Sequence, residues 1–399
     1  MAKGGVLVDF LELAREIEKG IIDIRRDLHM YPELGFELER TSEKVKCFLK
    51  NEGIDFYETA KTGICAIICG NGSKTIGIRA DMDALPIEEK NDCEYKSQNK
   101  GKMHACGHDA HTAILMGTAK ILNGIRHELN GNVKLIFEPA EETVGGARLM
   151  IEDGVLKNPN VDAIIGLHVE EWIDVGKIGI KKGVVNAASN PFKIKIIGSG
   201  GHGANPQNTI DPIVIASNVI SSLQTIVSRE ISPTDSAVIT IGSIHGGTAQ
   251  NIIPEEVELE GIIRCLNIEH RDYIKMRLRE VTTGIVNSMR GRCEIQIDES
   301  YPCLYNDDYM TDLLVSSAEK IIQSKNIVKL NAPSMGVESF AYFAMEKPSV
   351  FYYLGCGNVN KNIVHAAHSN KFDIDEQCLS IGVAIECQAV WDYLNEEEI

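Results

Sequence analysis

PFKIKIIGSGGHGANPQNTIDPIVIASNVISSLQTIVSRE, residues 191–230, changes period halfway along. Its opening, PFKIKIIGS (191–199), reads as a strand, and DPIVIASNVISSLQTIVSRE (211–230) as a long helix. Asp211 and Pro212 supply the cap and first turn. SAVITIGSI (236–244) and EEVELEGIIRC (255–265) follow as strands, then the helix IEHRDYIKMRLREVTTGIVNSM (268–289) and the strand CEIQIDE (293–299). That order is β-α-β-β-α-β, the ferredoxin-like arrangement. It marks residues 188–299 as an inserted α+β domain.

Outward from the insert the pattern is different. TIGIR (75–79), VKLIF (133–137), AIIGL (163–167) and SVFYYL (349–354) are short β-rich runs bounded by turn residues. Between them lie helical stretches such as AHTAILMGTAKIL (110–122) and GGARLMIEDGV (145–155). Residues 8–30 place Leu11, Ala14, Ile17, Ile21, Ile24 and Leu28 at helical spacing, with Pro32 marking the end. Alternating β and α predicts an α/β domain, residues 1–187 and 300–399, with a mixed, largely parallel sheet flanked by helices.

The 399 residues suffice for two such bodies. Forty basic against 57 acidic residues give a net charge of −17, which argues against nucleic acid and anionic membrane as partners. No apolar run approaches membrane-spanning length, and the first twenty residues carry charges where a signal peptide needs its apolar stretch. Eleven scattered cysteines without a C-x-x-C pair are expected to be reduced thiols in a cytoplasmic protein.

Metal-capable side chains gather where strands end and helices begin. TIGIR leads into Asp81 and Asp83, VKLIF into Glu141 and Glu142, AIIGL into His168, and SVFYYL through a loop towards His365 and His368. MHACGHDAH (103–111) precedes a helix for which Asp109 is the expected N-cap. Open parallel sheets bind ligands beyond their carboxyl ends, so these segments can converge. Each has a plainer reading alone: Glu141–Glu142 as a solvated pair, Asp81–Asp83 as a turn, His168 as a buried, satisfied histidine, His202 among turn glycines. His29, His127 and His270 fall beside charged residues in predicted helices and read as surface. Cys106 is open to three roles: nucleophile, part of a structural zinc site, or ligand in a catalytic metal centre.

RADMDALPI (79–87), MHACGHDAHTAILMG (103–117), EPAEE (138–142), GLHV (166–169), GSGGHGANP (198–206), GGTAQNIIP (246–254) and RRDLHMYPELGFE (25–37) together resemble the M20 family of metallopeptidases and amidohydrolases. The nearest branch is the N-acyl-amino-acid amidohydrolases, which include hippurate hydrolases, auxin-conjugate hydrolases and N-acetyl-diaminopimelate deacetylases. The resemblance implies two divalent metal ions in the α/β domain and a lid that often dimerises. Zinc or manganese is the expected metal, with cobalt or nickel as alternatives. Cys106, His108, Glu142, His168 and His368 match the metal ligands, and His368 fits the spacing to KFDIDE better than His365. Glu141 matches the general base. Asp83 matches an aspartate that orients a metal-binding histidine, and Asp81 stands where other branches have a ligand histidine. His202 matches a lid histidine that reaches an active site, commonly that of the partner subunit. Asn251 and Arg264 match positions that contact the substrate carboxylate. Three departures stand out: Glu138 for the usual glutamine, Ser339 for the aspartate of G-x-E-D-F, and Ser369–Asn370 at a turn. His104 and His111 become supporting residues.

The activity this implies is hydrolysis of an N-acyl amino acid to a carboxylic acid and a free amino acid, through a metal-bridging water activated by Glu141. A dipeptidase or carboxypeptidase of the same family is the alternative. A non-catalytic metal-binding protein and a cysteine hydrolase are the readings from other classes. The expected partner is a small N-acyl amino acid or dipeptide, with a homodimer formed through the lid.

Overall fold

The computed structural model of the protein describes residues 8–396. Residues 1–7, part of the segment read for a leader, and 397–399 lie outside them. Two compact units result. The first comprises the described residues through Gly183, with Tyr305–Ala332 and the chain from Ser339 onward; the second is Val184–Leu304 with Pro333–Glu338.

An eight-stranded sheet organises the first unit, in the order Asp55–Thr59, Gly63–Ile68, Asn132–Glu138, Thr75–Asp81, Ala163–Asp174, Ser349–Gly357, Ile178–Ile180, Ile327–Lys329. Its centre is parallel: Thr75–Asp81 runs parallel to Asn132–Glu138 and to Ala163–Asp174, which in turn runs parallel to Ser349–Gly357. Every residue of Thr75–Asp81 and of Ser349–Gly357 is buried, which is why both read as nearly continuous apolar runs. Helices His108–Gly124 and Gln377–Asn395 contribute Ile114, Leu115, Val383 and Ala384 to the same core.

The second unit is a four-stranded antiparallel sheet ordered Ala237–His245, Glu256–Cys265, Ala188–Ile197, Arg292–Ile297, with helices Pro212–Thr225 and Ile268–Ser288. Leu223, Ile274 and Leu278 from the helices join Ile194, Ile196 and Leu259 in its core. Asp211 accepts from Ile213 N and Val214 N, so the Asp-Pro start caps as its sequence implies. No helix among the described residues is long and apolar enough to cross a membrane, and all eleven cysteines are unpaired.

Three local expectations need correction. The helix read over 8–30 is two, Phe10–Glu16 and Glu18–Met30, broken at Ile17. Asp109 is not an N-cap: the helix starts at His108, its cap is Gly107, and Asp109 is buried in the first turn. His29 is not at the surface but fully buried. One interaction explains the last two. Arg25 Nε donates to Asp109 Oδ2 at 2.8 Å, and His29 Nδ1 lies 2.7 Å from the same oxygen. Asp373 and Glu376 also face Arg25. Burial opposes the Asp109 charge, but Arg25 and His29 hold its carboxyl well below the usual range. Removing one partner of a buried pair strands the other. Arg25→Met is therefore expected to cost roughly 3–5 kcal/mol in urea-induced unfolding. Wild-type stability in that variant would show that the cluster does not anchor the start of the His108 helix.

Candidate metal centre

Gly107 makes the Cys106–Gly107–His108 turn possible. Its φ is +85°, and a Cβ there would meet Val169 Cγ2 at 2.2 Å. The chain thus closes tightly against strand Ala163–Asp174 and brings Cys106 Sγ to 3.3 Å from His168 Nε2. His168 lies inside that strand, paired with Tyr353, not beyond its end as its sequence position suggests. Its Nδ1 donates to the Val169 carbonyl at 2.7 Å, which leaves Nε2 as a lone pair facing Cys106. Burial and the neighbouring His111 push its pKa down to about 3, so the imidazole is neutral.

Glu141 and Glu142 follow strand Asn132–Glu138 through Pro139 and through Ala140, which adopts a left-handed φ of +58°. Asp83 fixes this turn. One carboxylate oxygen accepts from Glu141 N at 2.9 Å and the other from Glu142 N at 3.2 Å. His108 Nδ1 is 3.5 Å from the first of these oxygens. Glu142 Oε1 lies 3.2 Å from His368 Nε2 and 3.9 Å from His108 Nε2. His368 also has a left-handed backbone, φ +65°, pinned by its N–H donating to the Ala105 carbonyl at 2.7 Å.

Several donor groups therefore converge. Cys106, His108 and His168 each offer an atom within 4.8 Å of the other two, and so do Cys106, Glu142 and His368, and His108, Glu141 and Glu142. His365 belongs to none of these groups among the described residues. Asp81, His108 and His111 form a further cluster, but its chemistry differs. His111 Nε2 accepts from Val169 N at 2.8 Å and its Nδ1 donates to Asp81 Oδ1 at 2.6 Å, so neither nitrogen is available. Asp81 Oδ2 takes Arg79 Nη1 at 2.7 Å. Asp81 and His111 thus brace the strand behind the donors.

The donor set fits a metal. His108 Nδ1 and Glu142 Oε1 are buried without a well-formed hydrogen bond. Burial and the Glu142 carboxylate push the Cys106 thiol well above its ordinary range, against the opposing pull of His108. A divalent cation reverses that imbalance. The soft sulfur and imidazole donors suit zinc and its neighbours better than magnesium or calcium.

The second unit holds the remaining sequence candidates. His202 and Asn251 are neighbours: His202 pairs with Ile252, and Gly203 N donates to Asn251 O at 2.8 Å. His202 Nδ1 accepts from Ala204 N at 3.1 Å, which leaves the proton on Nε2. Arg264, on strand Glu256–Cys265, donates to the Met335 carbonyl at 3.1 Å and has no carboxylate partner among the described residues.

Residue types alone did not mark two further groups. Glu170 is pushed up to about 7 by burial and the adjacent Glu171, with Oε1 3.6 Å from His168 Nδ1. Arg79, Glu138 and Ser339 are fully buried together, and Ser339 N donates to Glu141 Oε1 at 3.0 Å.

The chain is similar to known proteins along most of its length. The model of peptidase family M20/M25/M40 matches residues 77–392. A Bacillus subtilis protein named N-acetyl-L-cysteine deacetylase is 43% identical over 365 residues, covering 91% of this chain and 85% of its own. Thermostable carboxypeptidase 1 of Saccharolobus solfataricus is 39% identical over 374 residues, 92% of this chain and 94% of its own. Among solved structures, a Bacillus subtilis protein described as a dinuclear metal binding peptidase from the M20 family has a TM-score of 0.81 at 34% identity, covering 95% of this chain and 99% of that one. With most of its length matched and its donor residues gathered beside a largely parallel sheet, the chain belongs to peptidase family M20/M25/M40 and is a hydrolase of amide bonds.

Proposed function

We propose that the protein releases free amino acids from N-acyl amino acids at a centre of two divalent metal ions. The observation that carries this reading is that two three-donor groups share Cys106. Cys106, His108 and His168 would hold one ion; Cys106, Glu142 and His368 would hold the other. Such a pair supplies Lewis acidity, polarising an amide carbonyl and acidifying a water. Glu141 takes that water's proton and delivers it to the leaving nitrogen. Asp83 holds Glu141 and Glu142 in register through their backbone N–H groups. Asp81 acts indirectly, fixing His111 against strand Ala163–Asp174.

Substrate recognition falls to the second unit. The Nε2 proton of His202 is suited to a developing oxyanion. Asn251 and the guanidinium of Arg264, unpaired with any carboxylate among the described residues, are suited to the carboxylate of the substrate. Residues 188–299 also carry the expected homodimer contact, since strand Ala237–His245 stands at the edge of its sheet. The reduced thiols fit a cytoplasmic location.

A panel of N-acyl amino acids, the matching neutral N-acyl amides and dipeptides tests the reading. Metal-loaded enzyme should turn over N-acyl amino acids best, and Arg264→Met should raise their KM by roughly tenfold or more, the loss of one charge-assisted pair. The carboxypeptidase relative makes peptides with a free carboxyl terminus the second arm. Preference for that arm would overturn the acyl assignment and keep the metal centre. No hydrolysis in any arm would sink both.

A further inference from the structure

The two departures at 138 and 339 are 201 residues apart in sequence yet share one hydrogen bond: Ser339 Oγ donates to Glu138 Oε1 at 2.6 Å. Arg79 joins both, donating through Nε to Glu138 Oε2 at 2.6 Å and through Nη2 to Ser339 Oγ at 2.9 Å. Ala147 N also donates to Glu138 Oε1, at 2.6 Å. All three side chains are buried. The Ser339 hydroxyl is thereby fixed in both roles, accepting from Arg79 and donating to Glu138. Its backbone N–H holds Glu141 Oε1. Glu138, Arg79 and Ser339 thus form a rigid bracket whose last atom touches the Glu141 carboxylate.

We propose that Glu138 and Ser339 are a reciprocal pair of positioning residues for Glu141, joined by one hydrogen bond and both held by Arg79. The inference rests on Glu141 acting as the general base. Glutamine at 138 together with aspartate at 339 keeps one carboxylate of this pair against Arg79, beside that of Asp81, and reverses the hydrogen bond between the two positions. The glutamine N–H would donate to the aspartate, where the Ser339 O–H now donates to Glu138. The glutamine oxygen stays with Arg79 Nε, while Ala147 N, which now shares Glu138 Oε1 with Ser339, gives up that acceptor. Each single exchange breaks this balance. Glu138→Gln takes an anion from a buried guanidinium. Ser339→Asp sets an additional buried carboxylate between Glu138 and Glu141, where like charges repel.

The test is a double-mutant cycle of Glu138→Gln, Ser339→Asp and the combined variant. The readouts are kcat and KM on an N-acetyl amino acid, bound manganese per chain and melting temperature. Each single variant is expected to lose roughly tenfold or more in kcat, as misplacement of a catalytic group does, with bound manganese unchanged. The combined variant should return to within about threefold of wild type in kcat and regain melting temperature, a coupling well beyond additivity. Ser339→Ala, which keeps the backbone N–H but frees it from the bracket, should lower kcat without lowering bound manganese. Singles at wild-type kcat overturn the proposal. So does a combined variant that is unfolded or no faster than the slower single, and so does a cycle moving melting temperature alone. Glu141→Ala separates the two layers. If it is inactive while the cycle is additive, only the pairing falls; if it is fully active, the assignment of Glu141 falls.

Discussion

Glu141→Gln is expected to lower kcat on N-acyl amino acids by roughly 10²–10⁴-fold, the range attributed to a positioned general base, while bound metal per chain stays at the wild-type value. The glutamine is nearly isosteric, so Oε1 can still accept from Ser339 N, and Asp83 still grips the backbone N–H groups of 141 and 142. What disappears is the ability to take a proton. KM should move little, because the change falls on the transition state and not on substrate binding. The check is steady-state kinetics beside metal analysis of the same preparation. Wild-type turnover would remove Glu141 from the mechanism and revive a binding protein without catalysis. A variant that has lost its metal would turn the residue into a ligand, a role its place beside His108 and Glu142 also permits geometrically.

The second large effect belongs to Cys106. Cys106→Ala removes the donor common to both three-residue groups, so metal affinity and activity are expected to fall together. Losing a residue that merely orients a ligand already costs about 10–100-fold in affinity. Losing a shared ligand should cost at least about a hundredfold by the same scale, read by competition against a chelator of known affinity. The nucleophile reading predicts otherwise: activity vanishes while metal stays bound, and acyl substrate labels Cys106 covalently in the wild type. Burial and the Glu142 carboxylate push this thiol well above its ordinary range, so without a cation it is a poor nucleophile.

Much of this arrangement is legible in local sequence pattern. The period of residues 191–299 implies the β-α-β-β-α-β order, and the strands and helices of the second unit follow it. Apolar runs such as TIGIR foretell buried parallel strands because both faces of the sheet are covered. Cys106 and His108 stand out through spacing alone. What stays hidden depends on partners far away in the chain. His29 looks like a surface residue beside Arg25, Arg26 and Asp27, and Asp109, eighty positions on, together with Glu89 accounts for its burial. His168 reads as lying past a strand end because the polar residues after it look like a loop. Pairing with Ser349–Gly357 carries the strand on to Asp174. His111 is as metal-capable in sequence as His108, yet Asp81 on one side and Val169 N on the other consume its ring. Glu138 and Ser339 each read as an isolated departure, and their hydrogen bond makes them one feature.

Apo enzyme titrated with manganese or zinc while hydrolysis of an N-acetyl amino acid is followed tests the two-metal centre most directly. A centre built around a shared Cys106 predicts no activity without metal, a rise on addition, and saturation at two equivalents per chain. Full activity in metal-free enzyme, or no activity at any metal loading, would contradict it.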